Sequence, residues 1–454
     1  MSRLRTFFNP PTSNPLRAPA RIFWVGFAVR VLYMTLAHTY RIRGYEDHFQ
    51  FGWEAGRIAR ALVTGHGYAD PFANVWLAHS GPTAWLPPLY PLLLAGIFRV
   101  FGVFTPASAR VLFTVQSAVS AATALAVWEI GARCFNRKVA LWAAWLWALY
   151  PAAMQYAVRW PWETTISTAL FTFAITLAIR IRGVGDIRHT EQLGQSTDQS
   201  VYLERQRRTR WIAFGLLWGL IALSNSSLLV FLPVCGFWII WPLTSRVGEW
   251  ASAMRGILLA AFFFLACVAP WTARNYAVFH ALIPLRGNFG VELCLGDGPG
   301  STGFLMEYNH PFQDPNQLHT YASLGEVRYS ALRSAIAKQF IAAHPLHFAI
   351  VVSRRVLFFW IGVPHPSDES WYNELGRSLN FAFISVAGLL GLALAYRNRV
   401  PASGLMVLAF LLVPMPYYFV VVHARFRHPL EPIICVLSIY LFQSAERGRL
   451  WPNR

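Results

Sequence analysis

Acids are scarce in this sequence, 21 Asp and Glu in 454 residues, and three of them, Glu46, Asp47 and Glu54, crowd the point where the chain leaves its first long apolar run. A carboxylate held at a lipid boundary is costly unless it is paired or used, so the cluster reads as a site. A carboxylate positioned there can take the proton of an attacking hydroxyl as a general base. A fourth acid, Glu163, follows Trp160-Pro161-Trp162 at the end of a later apolar run. Each has a plainer reading beside the catalytic one. On a helix Glu54 would share a face with Arg57 and pair with it. Glu46 and Asp47 could be solvated loop acids, or Asp47 could cap the following helix. Glu163 suits a first helical turn, where the dipole favours negative charge.

The elements that must hold these acids are membrane helices. The chain is 55% hydrophobic and only 13% charged, with a mean hydropathy of +0.39, which excludes an ordinary soluble domain. The reading is an all-α polytopic membrane protein embedded in a lipid bilayer. A net charge of +18 invites a nucleic-acid partner, but much of the arginine sits in short loops between apolar runs, as orientation signals do, so none is expected. Cys134, Cys235, Cys267, Cys294 and Cys435 are scattered and mostly apolar in context, which argues against disulfides or a zinc site. His66, His423 and His428 form no familiar ligand spacing, so no metal or cofactor is indicated. Gly296-Asp297-Gly298-Pro299-Gly300 reads as a turn, since Pro299 and Gly300 oppose the helix that a phosphate loop needs.

Apolar runs at 22–40 and about 108–132, 139–157, 164–180, 211–224, 227–243, 255–271, 379–396, 402–421 and 428–443 give about ten crossings. Leu86–Gly102 is short and carries Pro87, Pro88, Pro91 and Arg99. If it does not cross, the basic loop from Arg133 to Lys138 falls in the cytoplasm, and Glu163 falls on the same outer side as Glu46, Asp47 and Glu54. The expected organisation is a cytoplasmic tail at 1–21 and a transmembrane module at 22–271, with a first external loop at 41–107 and a cytoplasmic insertion at 181–210. An external region at 272–377 and C-terminal helices at 378–454 follow. A Gln/Ser/Thr-rich stretch at about 191–200 reads as flexible, and His344–Val363, with Arg354 and Arg355 at its middle, as an amphipathic helix near the interface. Both termini are expected in the cytoplasm.

Several motifs then fall into a recognisable order: the acidic first loop running into Arg60-Ala61-Leu62-Val63-Thr64-Gly65-His66-Gly67-Tyr68, then Pro87-Pro88-Leu89-Tyr90-Pro91-Leu92, then Glu163. Pro270-Trp271-Thr272-Ala273-Arg274-Asn275-Tyr276 closes a later helix, and Arg425-Phe426-Arg427-His428-Pro429 precedes the last one. From about residue 22 to 443 this pattern resembles the GT-C superfamily of membrane glycosyltransferases, especially bacterial relatives of protein O-mannosyltransferases and the aminoarabinose lipid A transferase. Counting back from Gly65, the slot for the superfamily's usual acidic pair falls on Phe51 and Gly52, with Asp47 and Glu54 on either side.

The resemblance implies a GT-C fold, with external juxtamembrane helices beside the crossings. It also implies an enzyme of the bacterial inner membrane that moves a hexose or pentose from a polyprenyl-phosphate donor to a cell-envelope lipid, glycan or protein. One acid of the first loop (Glu54, Asp47 or Glu46) would act as base, with Glu163 in support. Such a transfer also needs positive charge on the departing phosphate, best supplied by the planar fork of arginine. Arg274 is the first candidate, then Arg425 and Arg427, with Arg354 and Arg355 behind them; snorkelling is the plain alternative for those at helix ends. A transporter or flippase for a lipid-linked or anionic substrate is the competing reading, and an inactive scaffolding relative a third. Transporters place ionisable groups at the bilayer midplane between repeated halves. Here the acids lie in loops or at helix ends, and no repeat is visible.

Overall fold

The computed structural model describes residues 17–42, 44–45, 48–49, 51–74, 77–185, 197–241, 247–303, 309–363 and 371–446. Glu46, Asp47, the first sixteen residues of the N-terminal tail and residues 191–196 of the polar insertion lie outside the described residues.

Among the described residues, each of the ten apolar runs is largely helical. In chain order the helices are α1 (Arg17–Leu36), α2 (Glu54–Val63), α3 (Leu89–Phe101), α4 (Pro106–Cys134), α5 (Arg137–Leu149), α6 (Pro151–Val158), α7 (Thr164–Ile181), α8 (Thr197–Ala222) and α9 (Leu232–Ile240). Then come α10 (Val247–Phe279), α11 (Phe289–Asp297), α12 (Pro315–Leu324), α13 (Glu326–Ala343), α14 (Pro345–Ile361), α15 (Trp371–Arg397), α16 (Ser403–Leu412), α17 (Met415–Phe419) and α18 (Glu431–Glu446). Tight 3-10 turns at Ser226–Phe231 and Ala424–Leu430 lead into α9 and α18. Among the described residues, α1, α4, α7, α10 and α15 are long and apolar enough to cross a bilayer in one piece. The other apolar runs are shorter or broken, as at Pro151 between α5 and α6 and at Pro414 between α16 and α17. At 1.5 Å per residue, the 13 residues of α3 reach only about 20 Å, short of a hydrocarbon core of about 30 Å.

α4 is the central pillar, packed against α1, α3, α5, α6, α7 and α18. Its start is set by Thr105 and Ser108, which cap each other's backbone, and by Pro106 at the first helical position. Where the Pro151 break frees carbonyls, a buried cation satisfies them. Arg30, midway along α1 and fully buried, donates to Ala148 O (2.6 Å), Trp147 O (3.3 Å) and Ser120 Oγ (3.1 Å). α10, by contrast, packs along α8 with its outer side bare. Gly215 admits the Ala260 carbonyl at a distance that no side chain would allow, while Leu258, Phe262 and Leu265 remain about 60% exposed, as lipid-facing residues do.

Three expectations change. α10 does not close at Pro270-Trp271; it runs 33 residues through Phe279 with Pro270 inside it. Proline removes one intrahelical bond without ending the helix, and the hydroxyl of Thr272 donates both to Val268 O and to Pro284 O beyond the helix. The polar insertion is shorter than expected, because α8 already begins at Thr197. The arginine pair in α14 divides. Arg354 is exposed and Arg355 fully buried in an ion pair with Asp297 (2.8 Å), while α14 turns 105° away from α13.

A fully buried ionic group joins the last 3-10 turn to α18. Arg427 and His428 both bond the Glu431 carboxylate, all three are fully buried, and Arg427 also donates to Phe381 O and lies over the Phe381 ring. Removing one partner of such a group strands a charge in an apolar interior. Glu431→Ala is therefore expected to lower stability by about 3–5 kcal/mol. Lys138→Ala, which breaks the exposed pair with Glu446, should cost less than about 1 kcal/mol. Thermal unfolding in detergent micelles checks both; equal losses would contradict this account of the burial.

Candidate functional site

Glu54 and Glu163 lie at one end of the bundle, where α1 and α6 finish and α7 begins. The chain enters α2 through Gly52 (φ +81°) and Trp53 (φ +50°), a sharp left-handed turn that makes Glu54 the first helical residue. The turn rests on the segment before α7: a Cβ at Gly52 would lie 3.1 Å from Pro161 O. Glu54 and Glu163 are thus brought to the same wall by a backbone contact two residues from each.

Glu54 is mostly enclosed, with a fifth of its side chain exposed, and its Oε1 lies 3.8 Å from His310 Nε2. Burial pushes the Glu54 carboxyl above its ordinary range, opposed by the positive charges of Arg57, Arg425 and Arg286. Burial also holds the His310 imidazole down at about 4. At neutral pH that ring is uncharged, so the contact is polar and not an ion pair. The expected Glu54–Arg57 pair does not form as a salt bridge. Arg57 is buried, donates through Nε to Ala73 O (3.0 Å) and lies over the Phe312 ring, acting on Glu54 only through its field.

Glu163 occupies the N-cap position of α7 but makes no side-chain cap. Among the described residues its half-buried carboxylate has no hydrogen-bond or ion-pair partner, and its charge reaches Tyr90 and Tyr417. Beside it, Trp160 and Trp162 stack at 4.8 Å, and the Arg425 guanidinium lies over the Trp162 ring at 4.3 Å. Arg425 Nε is buried without a hydrogen-bond partner, and among the described residues Arg425 pairs with no carboxylate. A second cation, Arg286, is tied to Asn288 Oδ1 (2.6 Å) and stands 3.6 Å from Glu292. Its field also reaches Glu54 and Tyr417.

The other arginines singled out in the sequence are committed elsewhere. Arg274 donates to Thr83 O (2.6 Å) and Tyr68 O (2.8 Å) and lies among the rings of Tyr68, Trp271 and Phe279. Arg355 is held by Asp297, Gly296 O and Gly303 O. Arg427 is held by Glu431. Arg354 is exposed and donates only weakly to Thr302 O (3.3 Å). Of the five, Arg425 alone stands beside the acids with its guanidinium uncommitted to a carboxylate or carbonyl.

Sequence reasoning missed Arg286, His310 and Glu326. Glu326 opens α13 and is almost fully buried, accepting from Thr83 Oγ1, Ala84 N (2.8 Å) and Tyr321 OH (3.0 Å); burial raises its carboxyl above the usual range. With Arg274 on the Thr83 carbonyl and Gly287 N on Ala84 O (2.8 Å), it clamps the first loop between α10 and α13. Phe72 and Trp85 of that loop pack with Phe312, Tyr321 and Tyr329. Nothing in local sequence around Glu326 marks it; only the fold shows its partner.

No protein-family model and no curated protein matches this sequence. Solved structures do. The Archaeoglobus fulgidus oligosaccharyltransferase in its apo form aligns over 97% of this chain and 52% of its own, at 14% identity and a TM-score of 0.54. The same enzyme, AglB, in complex with an inhibitory peptide and a dolichol-phosphate aligns over 95% of this chain and 52% of its own, at 14% identity and a TM-score of 0.51. ArnT from Cupriavidus metallidurans bound to undecaprenyl phosphate aligns over 93% of this chain and 78% of its own, at 12% identity and a TM-score of 0.37. The chain spans about half the length of the oligosaccharyltransferase chains it matches. At this identity it is the fold that is shared: the chain is a multi-pass, all-α membrane protein with the fold of the GT-C glycosyltransferases.

Proposed function

We propose that this chain is a membrane glycosyltransferase that moves a sugar, hexose or pentose, from a polyprenyl-phosphate donor to a cell-envelope lipid, glycan or protein. The observation that carries the reading is Glu54 and Glu163, neither paired with a cation at short range, sharing a wall with Arg425 stacked on Trp162. AglB, which shares the fold, has been seen with a dolichol-phosphate, and this supports a lipid phosphate as the donor group here.

In the proposed reaction the acceptor hydroxyl attacks the anomeric carbon of the donor. The new bond forms from the acceptor oxygen, the bond from the anomeric carbon to the phosphate oxygen breaks, and its electron pair leaves with the lipid phosphate. Glu54 takes the acceptor proton; a carboxyl whose affinity for protons is raised by burial is a stronger base than one in water. Arg425, with Arg286 behind it, neutralises the charge growing on the phosphate. Glu163 orients the acceptor or sugar hydroxyls. Asp47 and Glu46 are the second candidates for the base. Arg274, Arg355 and Arg427 hold the surrounding loops and helices, and Arg354 meets headgroup phosphate.

The reading includes an orientation. The opposite end of the bundle carries Arg133, Arg137, Lys138, Arg180, Arg182, Arg205, Arg207, Arg208, Arg210, Arg397 and Arg399, which favours that end in the cytoplasm. Both termini would then be cytoplasmic, and the regions 41–107 and 272–377 would face the periplasm of a bacterial inner membrane.

Transfer of labelled sugar from polyprenyl-phosphate donors to an envelope extract, by protein in nanodiscs, tests the proposal. Glu54→Gln should lower kcat by about 10²–10⁴-fold. Arg425→Ala should lower it by about 10²–10³-fold, with little rescue by Arg425→Lys, which lacks the planar fork. Full activity in Glu54→Gln, or translocation of lipid-linked substrate without transfer, would sink the assignment.

The pH profile gives a separate check. A base must be deprotonated, so activity falls as pH drops through the Glu54 pKa. That acid limb should lie above the ordinary glutamate value of about 4.3. Because Arg286 favours the charged carboxylate, Arg286→Gln should move the limb to still higher pH. A limb unmoved by Arg286→Gln would separate Glu54 from the observed titration.

A further inference from the structure

At the end of the bundle opposite the acids, a cavity of about 740 Å³ opens between the C-terminus of α7, the helix α9 and the turn joining α15 to α16. Among the described residues its lining includes Arg182, Arg397 and Arg399, and no carboxylate. Arg182 is fixed: its Nη1 donates to Trp238 O (2.8 Å) and its guanidinium lies over the Trp238 ring at 4.0 Å. Arg397 and Arg399 are exposed, and among the described residues their side chains have no bonded partner. Between them, Asn398 is turned the other way by a bond to Tyr440 OH (2.9 Å), which leaves both arginines on the cavity side. Two acids of this end are engaged elsewhere, Glu129 with Arg133 and Arg180, Glu446 with Lys138.

Three guanidinium groups around one concavity repel one another unless an anion sits among them. The planar fork of an arginine matches a tetrahedral oxyanion, which can accept two parallel hydrogen bonds from it. Trp238 of α9 belongs to the lining, and its chain neighbours Phe237 and Trp241 are more than half exposed. An aromatic belt of this kind marks the level of lipid headgroups. We infer that this cavity is a binding site for a phosphate-bearing anion, set at headgroup depth on the face opposite the proposed transfer site and independent of it. The phosphate belongs either to an anionic phospholipid or to a soluble phosphate.

The test compares wild type with the Arg397→Gln/Arg399→Gln double variant and with Arg207→Gln/Arg208→Gln, which removes the same charge from α8 away from the cavity. Binding of phosphatidylglycerol is read by native mass spectrometry after stepwise delipidation. Binding of inorganic phosphate is read by calorimetry in uncharged phosphatidylcholine nanodiscs. Each arginine near a membrane surface contributes enough for the double variant to weaken binding about tenfold or more. Loss of phosphatidylglycerol in the 397/399 variant alone supports a lipid headgroup. Loss of inorganic phosphate binding in that variant alone supports a soluble ligand. Equal retention in all three proteins, or equal loss in both variants, overturns the site. Neither readout depends on sugar transfer, so its failure and that of the transferase reading are separable.

Discussion

The arrangement at the acidic end depends on one short stretch, Thr83 and Ala84, being held from two sides. Glu326 accepts from the hydroxyl of one and the backbone N–H of the other, while Arg274 and Gly287 donate to their carbonyls. With the Thr83 N–H donating to Tyr68 O, every polar group of this stretch is satisfied inside the protein, which is the condition for burying a loop at all. Because the first loop carries Glu54 at its other end, the clamp sets where the carboxylate can stand. The Glu326 carboxylate sits within the field of Arg274, so the two halves of the clamp also support each other electrically.

The charges of this protein fall into two groups. Arg30, Arg355 and Arg427 are fully buried and saturated by carbonyls or carboxylates, as the cost of a bare charge in an apolar interior requires. Glu163, Arg425, Arg397 and Arg399 are partly open and lack such partners among the described residues. The first group ties helices together at breaks and turns. The second gathers at the two ends of the bundle, Glu163 with Arg425 at one and Arg397 with Arg399 at the other. Burial and partnering together, more than residue type, separate structural charge from charge available for a ligand.

Much of this was legible in the sequence. Each apolar run read from the sequence falls on one or more of the helices, because an apolar run in lipid has few other stable conformations. The grouping of Glu54 with Glu163 at one end of the bundle followed from counting crossings and loop charges. The ranking of the arginines was not legible. Arg274 and Arg425 look alike in sequence, each beside aromatics at a helix end; one finds backbone carbonyls within reach and the other finds only ring faces. Glu326 and His310 were invisible, since their partners lie across the fold at Thr83, Ala84 and Glu54. Proline misled once. Pro151 ends a helix, whereas Pro270 sits within one, and only packing distinguishes the two.

The length of α10 has a mechanical consequence. Its 33 residues extend about 50 Å, well beyond the hydrocarbon thickness, and Arg274 lies on the last turns. A helix with so much lipid-facing surface accommodates a thinner bilayer by tilting. Because Arg274 grips Thr83 through its carbonyl, a tilt of α10 is transmitted as displacement of the loop that bears Glu54. The far end of the longest helix and the first loop are thus tied at a single carbonyl, so the two cannot shift independently of each other.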